Sequence, residues 1–261
     1  MNFVSRKEIL EKLTKNEITI EEADRALSSI QIEEVSSLAN YDIFRERRTG
    51  IPEIILAETK NSKMVLEIVE KVLAKKSIVL LSRTQPEHLE VLKSLESKYL
   101  VEYGTNGHFC RISQKDYQLK TDQGRVGIIT AGTSDLPVAE EAKAIAEMMG
   151  CEVYLVNDVG VAGIHRLFQP LKQLIEKDVD VLIVAAGMEG ALPTVVAGLV
   201  DIPVIGLPIS TGYGFGGKGQ TALMSMLQTC SLGLAVVNID AGISAGSIAA
   251  KIAIRRKKDK S

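Results

Sequence analysis

The residue with the clearest chemical potential is Cys230, a single cysteine where an apolar helical pattern gives way to an apolar strand pattern. It follows residues 209–219, an eleven-residue run that contains five glycines. Glycine adopts backbone conformations that side chains forbid, so this run can present several backbone N–H groups to a phosphate. The combination predicts thiol chemistry on a phosphorylated substrate. The alternative is a small apolar residue buried at a helix end, a common environment of free cysteine.

The overall composition is that of an ordinary globular protein. The 261 residues are 46% hydrophobic and 25% charged, with a formal net charge of −2. This charge gives no reason to expect nucleic acid or an anionic membrane as a partner. The basic residues at 255–260 continue a helical pattern and are expected to form a solvated terminus.

The cysteines and histidines exclude two classes of site. Cys110, Cys151 and Cys230 are far apart in the chain and form no Cys-x-x-Cys pair, which predicts a reducing compartment without structural disulfides. None of the three histidines lies at helical ligand spacing from another, so a structural zinc site is not expected.

The N-terminal residues lack an apolar signal region, and no stretch approaches the roughly 18 apolar residues of a membrane span. We therefore expect a cytoplasmic protein.

Glycine content divides the chain into two parts. Three of the 21 glycines precede residue 120 and eighteen follow it, and the polar stretch 115–124 ends in a turn-forming Asp-Gln-Gly. We predict a smaller α+β N-terminal domain over residues 1–119 and an α/β domain over residues 120–261. The charged segment 42–53 of the first domain carries Arg45 and Arg48, which can bind phosphate or carboxylate. A salt-bridged surface linker is the alternative.

Apolar periodicity predicts the elements of each part. In the first part we expect helices at 6–14, 20–29, 62–75 and 86–97, with strands at 52–58, 77–82, 99–103 and 108–112. In the second part we expect strands at 125–130, 152–157, 179–185, 203–207 and 234–238, alternating with helices at 137–149, 164–177, 192–199, 220–228 and 242–254. Strict alternation with short connections predicts a parallel sheet with helices on both faces.

Ligands bind at the carboxyl ends of the strands in such a sheet, which draws attention to the loops that follow each strand. Four of these five loops combine glycine with a carboxylate, and the fifth contains Lys218. The set suits an anionic ligand the size of a mononucleotide. The candidate binding residues in these loops are Gly132, Thr133, Ser134, Asp135, Arg166, Gly187, Met188, Ser210, Thr211, Gly212 and Lys218.

Each candidate also has a structural explanation. Thr133, Ser134 and Asp135 can cap the following helix, and one loop can both cap a helix and bind phosphate. Lys218 can be an exposed loop lysine. The glycine run nearly matches a Walker A motif, but Gly219 stands where the magnesium-binding Ser or Thr belongs, so an ATPase is not expected.

The loop residues resemble a known family. Gly132-Thr133-Ser134-Asp135, Gly163-Ile164-His165-Arg166, Ala185-Ala186-Gly187 before Leu192-Pro193, and Pro203–Pro208 follow in order the landmarks of the PurE-type aminoimidazole ribonucleotide carboxylases and mutases. The resemblance covers about half of the chain. It implies a PurE-like three-layer fold, a phosphate- and ribose-binding loop at Gly132–Asp135, a role for His165 and Arg166 in carboxylation, and assembly as a homo-octamer.

The departures from that family point to a second one. The purine enzymes have Ala-His-Leu-Pro where this chain has Ala191-Leu192-Pro193, preceded by Glu189-Gly190. With the N-terminal part and Cys230, the whole chain resembles the LarB family of nickel-pincer nucleotide biosynthesis. That resemblance implies a carboxylase and hydrolase that converts nicotinic acid adenine dinucleotide into pyridinium-3,5-biscarboxylic acid mononucleotide and AMP. The co-substrate would be CO2 or bicarbonate.

The implied chemistry assigns roles to three side chains. A pyridinium ring is electron-poor and needs a temporary electron donor before it can attack carbon dioxide, so Cys230 would be the nucleophile and Glu189 the base that removes the C5 proton. His165 would assist carboxylate or proton movement. Helix capping remains the alternative for Glu189, and capping or packing remains the alternative for His165.

Phosphoanhydride hydrolysis calls for charge neutralisation, so Mg2+ is expected, with Asp135, Asp158 and Asp240 as acidic candidates among which the sequence makes no choice. A PurE-type carboxylase or mutase is the alternative enzyme. A non-catalytic nucleotide-binding regulator is the alternative outside catalysis.

Overall fold

The computed structural model of the chain describes residues 6–28, 33–36, 39–42 and 45–260. Up to residue 114 the elements are α1 (Arg6–Thr14), α2 (Ile20–Ser28), β1 (Glu33–Ser36), β2 (Ala39–Tyr41), α3 (Arg45–Thr49), β3 (Ile55–Leu56), α4 (Ser62–Leu73), β4 (Ile78–Ser82), α5 (Pro86–Leu92), β5 (Tyr99–Tyr103) and β6 (Phe109–Gln114). From residue 125 they are β7 (Arg125–Thr130), α6 (Leu136–Met148), β8 (Glu152–Val156), α7 (His165–Glu176), β9 (Val181–Ala186), α8 (Leu192–Ala197), β10 (Val204–Pro208), α9 (Gln220–Leu227), β11 (Leu234–Val236) and α10 (Gly242–Lys260).

The N-terminal part is built on a four-stranded sheet of order β3-β4-β6-β5. Strands β3 and β4 are parallel and are joined by α4, whereas β6 runs antiparallel to both β4 and β5. Helix α4 begins where the Asn61 side chain accepts a hydrogen bond from Met64 N at 3.0 Å. This arrangement confirms the predicted α+β N-terminal domain.

The C-terminal part is a parallel sheet of order β11-β10-β9-β7-β8. Helices α6 and α10 pack on one face, and α7, α8 and α9 pack on the other. The central strand β9 is buried along its whole length, as expected of a strand covered on both faces. The predicted three-layer α/β fold is confirmed, while the domain division at residue 119 stays a prediction.

Helix α6 shows how sequence signals set an element of this sheet. Pro137 lies in its first turn, where a missing backbone N–H costs nothing. Val138, Ala142 and Ile145 are buried, and Gly150 follows the helix at a φ of 95°, a conformation that glycine adopts without strain. The helix was predicted at 137–149 and lies at Leu136–Met148.

Other elements differ from the prediction. The charged segment 42–53 contains the short helix α3, and the pairing of β1 with β2 was not predicted. Strands β3 and β11 are shorter than expected. Helix α10 continues beyond residue 254 to Lys260, because Arg256 in this basic segment pairs with Asp180 at 3.0 Å and Asp178 at 3.1 Å.

Three glutamates on α6 bond the N-terminal part to the parallel-sheet part. Glu140 accepts from Thr105 N at 2.7 Å, Glu141 accepts from Ser82 Oγ at 2.5 Å, and Glu147 accepts from Arg111 Nη1 at 2.7 Å. Leu80 and Phe109 join the core of α6 and α10. Leu80 and Phe109 therefore extend the core of the parallel-sheet part across the junction, while α4 packs on the N-terminal sheet in a separate core. Within the described residues, no helix has both the length and the apolar character that a membrane crossing requires.

Gly246→Ala should destabilise the protein, although replacing glycine by alanine inside a helix normally stabilises it. A Cβ at Gly246 would lie 2.2 Å from Ala142 O and 2.4 Å from Ile145 Cγ2, where α10 crosses α6. We expect a loss of about 1–3 kcal/mol in the free energy of unfolding, measured by urea denaturation at fixed protein concentration. Ser244→Ala, on the exposed face of the same helix, should change it by less than about 0.5 kcal/mol. Equal or greater stability of Gly246→Ala would contradict the close crossing.

Candidate active site

A cavity of about 210 Å3 opens at the carboxyl ends of the parallel strands. Four strand-to-helix loops form it, as the topology requires. Of the predicted site residues, the structure brings seven together here. The lining residues are Ala131, Gly132, Ser134, Asp135, Gly160, Val161, Ala162, Ala186, Gly187, Met188, Glu189, Ala191, Leu192 and Thr211.

Asp135 ties two of these loops together. It is 3% exposed, its Oδ2 accepts from Gly132 N at 2.8 Å, and its Oδ1 accepts from Thr211 Oγ1 at 3.2 Å. Burial raises the pKa of the Asp135 carboxyl, and the hydrogen bonds from Gly132 and Thr211 oppose that rise. The bond from Gly132 N is a capping bond of the 3-10 turn Thr133–Asp135 that leads directly into α6, so Asp135 both caps this turn and bonds the facing loop. Thr133 and Ser134 are exposed beside it.

The loop after β9 presents Glu189 to the cavity. Gly187 is required here, because a Cβ would lie 2.2 Å from Thr211 O. Met188 follows at a φ of 48° and Gly190 at 65°, so the backbone reverses sharply around Glu189. The Glu189 side chain is exposed, α8 has no side-chain cap, and no hydrogen bond or ion pair within the described residues engages the carboxylate. This carboxylate is available to accept a proton.

His165 and Arg166 lie beside the cavity without lining it. They begin α7, directly after the loop residues Val161 and Ala162 that do line it. Both side chains are exposed, and Arg166 Nη1 pairs with Asp158 Oδ2 at 2.8 Å. Their predicted roles require a ligand that extends out of the cavity.

The glycine-rich loop reaches the cavity through its first residues. Thr211 lines the cavity, and a Cβ at Gly212 would contact Met188 N at 3.5 Å. Ser210 N donates to Asp240 Oδ1 at 2.8 Å, so the turn before α10 holds the start of this loop. Lys218 is exposed at a φ of 60°, just before α9.

Two contributors to the site were missed from the sequence. The apolar wall of Val161, Ala162 and Leu192 lies in loops that were identified, but these residues carry no reactive group that would single them out. Asp240 was considered only for metal binding, whereas it supports Ser210. Its position at the carboxyl end of β11 was the available signal.

Cys230 lies near the amino ends of the parallel strands, at the opposite end from the cavity. It is exposed in the 228–233 connection from α9 to β11, where Gly233 O accepts from Val204 N, the first residue of β10. A five-residue strand spans roughly 15 Å, so one chain does not bring Cys230 and Glu189 together. Exposure rules out the buried-residue explanation for Cys230, whereas Cys110 and Cys151 are buried and burial raises the pKa of each thiol.

Arg45 and Arg48 also lie away from the cavity within one chain. Arg45 pairs with Glu53 at 2.8 Å and Arg48 pairs with Asp42. Asp42 and Glu53 line a separate cavity with Met148, at the end of α6 opposite the Gly132–Asp135 loop. These pairs fit the salt-bridged alternative, and the binding role of the two arginines stays a prediction.

The acidic candidates for Mg2+ are already engaged. Asp135 is bonded to Thr211, Asp158 to Arg166 and Asp240 to Ser210. Among the residues that the structure describes, no group of three His, Cys, Asp or Glu side chains could hold a metal ion. The described residues therefore form no preassembled cage, and a Mg2+ ion would need most of its ligands from substrate phosphates and water.

Comparisons with known proteins match both parts of the chain. The family model of the LarB/PurE-like N-terminal domain matches residues 32–114, and that of AIR carboxylase matches residues 125–260. An uncharacterized protein of Methanocaldococcus jannaschii is 43% identical over 95% of this chain and 96% of its own length. The N5-carboxyaminoimidazole ribonucleotide mutase of Thermotoga maritima is 34% identical over 49% of this chain and 74% of its own length.

A solved structure, the crystal structure of a PurE variant from Treponema denticola, is similar to the chain with a TM-score of 0.40 and 20% sequence identity. The similarity covers 52% of this chain and 92% of that one.

Gly187→Ala should separate the loops of the cavity, because the new methyl group would overlap Thr211 O at 2.2 Å. We expect a loss of about 1–3 kcal/mol in the free energy of unfolding, measured by chemical denaturation. Gly132→Ala is the matched control in the same cavity: its nearest contact would be Ser134 Oγ at 3.7 Å, so its stability should stay near wild type. Similar stabilities of the two variants would show that the Gly187–Thr211 approach is not close.

Proposed function

Since the chain belongs to the LarB family, in which a LarB/PurE-like N-terminal domain precedes an AIR carboxylase domain, we propose that it carboxylates nicotinic acid adenine dinucleotide at C5 of the pyridinium ring and hydrolyses its phosphoanhydride. The products are pyridinium-3,5-biscarboxylic acid mononucleotide and AMP. The observation that carries this proposal is the unengaged Glu189 carboxylate at the mouth of the cavity. A ring that must lose a proton to regain aromaticity needs such a base.

The mononucleotide half of the substrate is assigned to the carboxyl-edge cavity. Its phosphate would lie on Gly132–Asp135, where the backbone N–H groups that begin the thirteen-residue helix α6 favour an anion. Ser210, Thr211 and Gly212 would bind the same half from the facing loop. Asp135 holds these two loops together by accepting a hydrogen bond from Thr211.

The carboxylation proceeds through a covalent adduct of Cys230. The thiolate adds to ring C4 or C6, and the electron pair displaced from the ring neutralises the pyridinium nitrogen. C5 is then nucleophilic and forms a carbon–carbon bond with carbon dioxide. Glu189 takes the C5 proton, the C5–H electron pair restores the aromatic ring, and the C–S bond breaks to release the thiolate. Bicarbonate as the source of carbon dioxide, and Mg2+ in the hydrolysis, stay predictions.

The thiol has to come from a second copy of the chain. Within one chain, Cys230 lies near the amino ends of the parallel strands and the cavity lies at their carboxyl ends. Leu227, three residues before Cys230, is 65% exposed, and Leu232, two residues after it, is 90% exposed. Apolar side chains grouped around an exposed nucleophile suit a surface that another copy covers. We therefore propose a homo-oligomer with shared sites; the octamer number is carried over from the family.

The direct test of the function is product identification. The protein is incubated with nicotinic acid adenine dinucleotide, carbon-13 bicarbonate and magnesium chloride, and the products are analysed by mass spectrometry. The proposal predicts AMP and a mononucleotide that carries one labelled carboxylate. Turnover of aminoimidazole ribonucleotide instead would establish a PurE-type enzyme, and nucleotide binding without turnover would establish a regulator; either result overturns the proposal.

Cys230→Ala should lower the carboxylation rate by about a thousandfold or more, because the electron donor is removed. The side chain is exposed, so the free energy of unfolding should change by less than about 0.5 kcal/mol. Ser231→Ala is the neighbouring control and should keep the wild-type rate. A near wild-type rate in Cys230→Ala would end the covalent mechanism.

Glu189→Gln should bind substrate and form the thiol adduct but stall before the ring regains aromaticity, since the amide cannot accept the C5 proton. Stopped-flow absorption should then show a long-lived band of the dihydropyridine adduct, absent when Cys230 is also replaced. Normal turnover in Glu189→Gln, or the same band without Cys230, would remove Glu189 from the mechanism.

Mixed assemblies test whether the site is shared. Cys230→Ala retains Glu189, and Glu189→Gln retains Cys230, so co-expression of the two inactive chains with different affinity tags should create some complete sites. We expect doubly purified mixed oligomers to regain turnover well above the sum of the parents. Inactive mixed oligomers would show that the thiol does not act between copies. Light scattering of the wild type that gave only a 28 kDa monomer would also contradict sharing.

A further inference from the structure

A buried carboxylate that the proposed mechanism does not use lies between the N-terminal part and the candidate active site. Glu141, on α6, is 1% exposed, and its Oε1 accepts from Ser82 Oγ at 2.5 Å at the end of β4. The backbone N–H groups of Arg83 and Ile243 also donate to this carboxylate. Glu141 therefore bonds the end of β4 and the first turn of α10 at once.

The first turn of α10 follows directly on the Asp240 turn. Asp240 has a φ of 53°, its N donates to Pro208 O at 2.9 Å, and its Oδ1 accepts from Ser210 N at 2.8 Å. Gly242 lies so close to Glu141 that a Cβ there would be 2.7 Å from Glu141 Oε2. A movement of Glu141 would therefore be transmitted through the start of α10 to the turn that holds Ser210.

We propose that Glu141 is a positioning residue for the candidate active site: through it the N-terminal part holds the start of α10, and with it the Asp240 turn and Ser210. The proposal rests on the proposed function only for its kinetic readout. It gives the N-terminal domain a task in the site without any contact to the substrate. No residue of that domain lines the described cavity, so the task is carried by the junction alone.

The charged groups around Glu141 come from several elements. His108 Nε2 lies 3.8 Å from Glu141 Oε1, and it is buried without a hydrogen-bond partner among the described residues. Arg83 follows β4 and pairs with Glu58 at 3.1 Å. Asp240 faces His108 from the turn before α10, and burial is the main cause that lowers the pKa of His108. The junction therefore contains a buried carboxyl group and a partly buried imidazole that both favour their neutral forms.

Burial raises the pKa of Glu141 from its usual 4.5 to about 7, while the bonds from Ser82 and Arg83 oppose the rise. In the structure the junction between the N-terminal part and α6 is closed around Glu141; when it opens locally, water reaches the carboxyl group and its pKa returns to the usual value. Glu141 therefore binds its proton more tightly in the closed junction than in the open one. The Glu141 contribution therefore makes opening least favourable below pH 4.5 and easier as the pH rises to about 7, with no further change above that value. His108, whose pKa is lowered in the junction, contributes the opposite change and makes opening easier as the pH falls. The full change that Glu141 contributes is roughly three hundredfold in the opening equilibrium.

Hydrogen exchange of the full-length protein, corrected for the intrinsic pH dependence of exchange, measures this opening. In the wild type, the amides of Ile243 and Ser210 should lose up to about three hundredfold in protection between pH 4.5 and 7. Glu141→Gln should abolish this loss of protection, because the amide does not titrate, and should leave only the opposite change that His108 contributes. Glu140→Gln is the matched control: it removes a carboxylate from the adjacent position of the same junction, bonded to Thr105 instead. It should retain the change.

A milder variant keeps the test decisive if Glu141→Gln folds poorly. Ser82→Ala removes one hydrogen bond that lowers the pKa of Glu141, so the end of the protection change should move to higher pH. An unchanged profile in Glu141→Gln or Ser82→Ala, or its loss in Glu140→Gln, would overturn the proposal.

The kinetic readout separates positioning from chemistry. Because Ser210 is assigned to binding, Glu141→Gln should raise KM for nicotinic acid adenine dinucleotide several-fold with kcat within about twofold, whereas Glu140→Gln should change neither. A fall in kcat at unchanged KM, or unchanged kinetics, would overturn the positioning role. A wild-type protein without turnover on this substrate would refute the proposed function, and the exchange experiment would still decide the role of Glu141.

Discussion

Helix α6 has to satisfy four neighbours at once, and the rest of the structure depends on that constraint. Its first residues follow the Gly132–Asp135 loop of the cavity, and its apolar face packs on the parallel sheet. Gly246 of α10 approaches Ala142 so closely that no side chain fits between them. Its remaining face bonds the N-terminal part through Glu140, Glu141 and Glu147. Glu141 is the buried one of the three, and its hydrogen bond offsets the cost of burying a carboxyl group.

The parallel sheet explains both what the site contains and what it lacks. Loops from four strands meet at the carboxyl edge because all five strands run in the same direction. Because the strands are parallel, every helix-to-strand connection lies at their amino ends, and Cys230 lies in one of these connections. Glu189, the proposed base, and Cys230, the proposed nucleophile, lie at opposite ends of the strands, so a single chain would be an incomplete catalyst for the proposed carboxylation. The proposed sharing between copies would remove this separation without any rearrangement of the fold.

Much of the fold could be predicted from the sequence, because helical and strand periodicities alternate and turn residues mark their ends, as at Pro137 and Gly150. The cavity loops followed from the rule for parallel sheets. Contacts between distant segments could not be predicted: Asp135 and Thr211 are 76 residues apart, and Glu141 is buried by strand β4 rather than by its own helical face. The sequence placed Cys230 between a helix and a strand, and in a parallel sheet such a connection lies at the end of the strands opposite the cavity. Its separation from Glu189 within one chain could therefore have been predicted.

The central claim is that the cavity with Glu189 and the thiol of Cys230 form one site between two copies of the chain. A crystal or cryo-electron microscopy structure of the assembled protein, with the nucleotide bound, measures this directly. The account predicts that Cys230 Sγ of one copy and the Glu189 carboxylate of another face the same pyridinium ring from within contact distance. An assembly in which no copy brings Cys230 to a neighbouring cavity, or in which the thiol is covered away from all cavities, would contradict it.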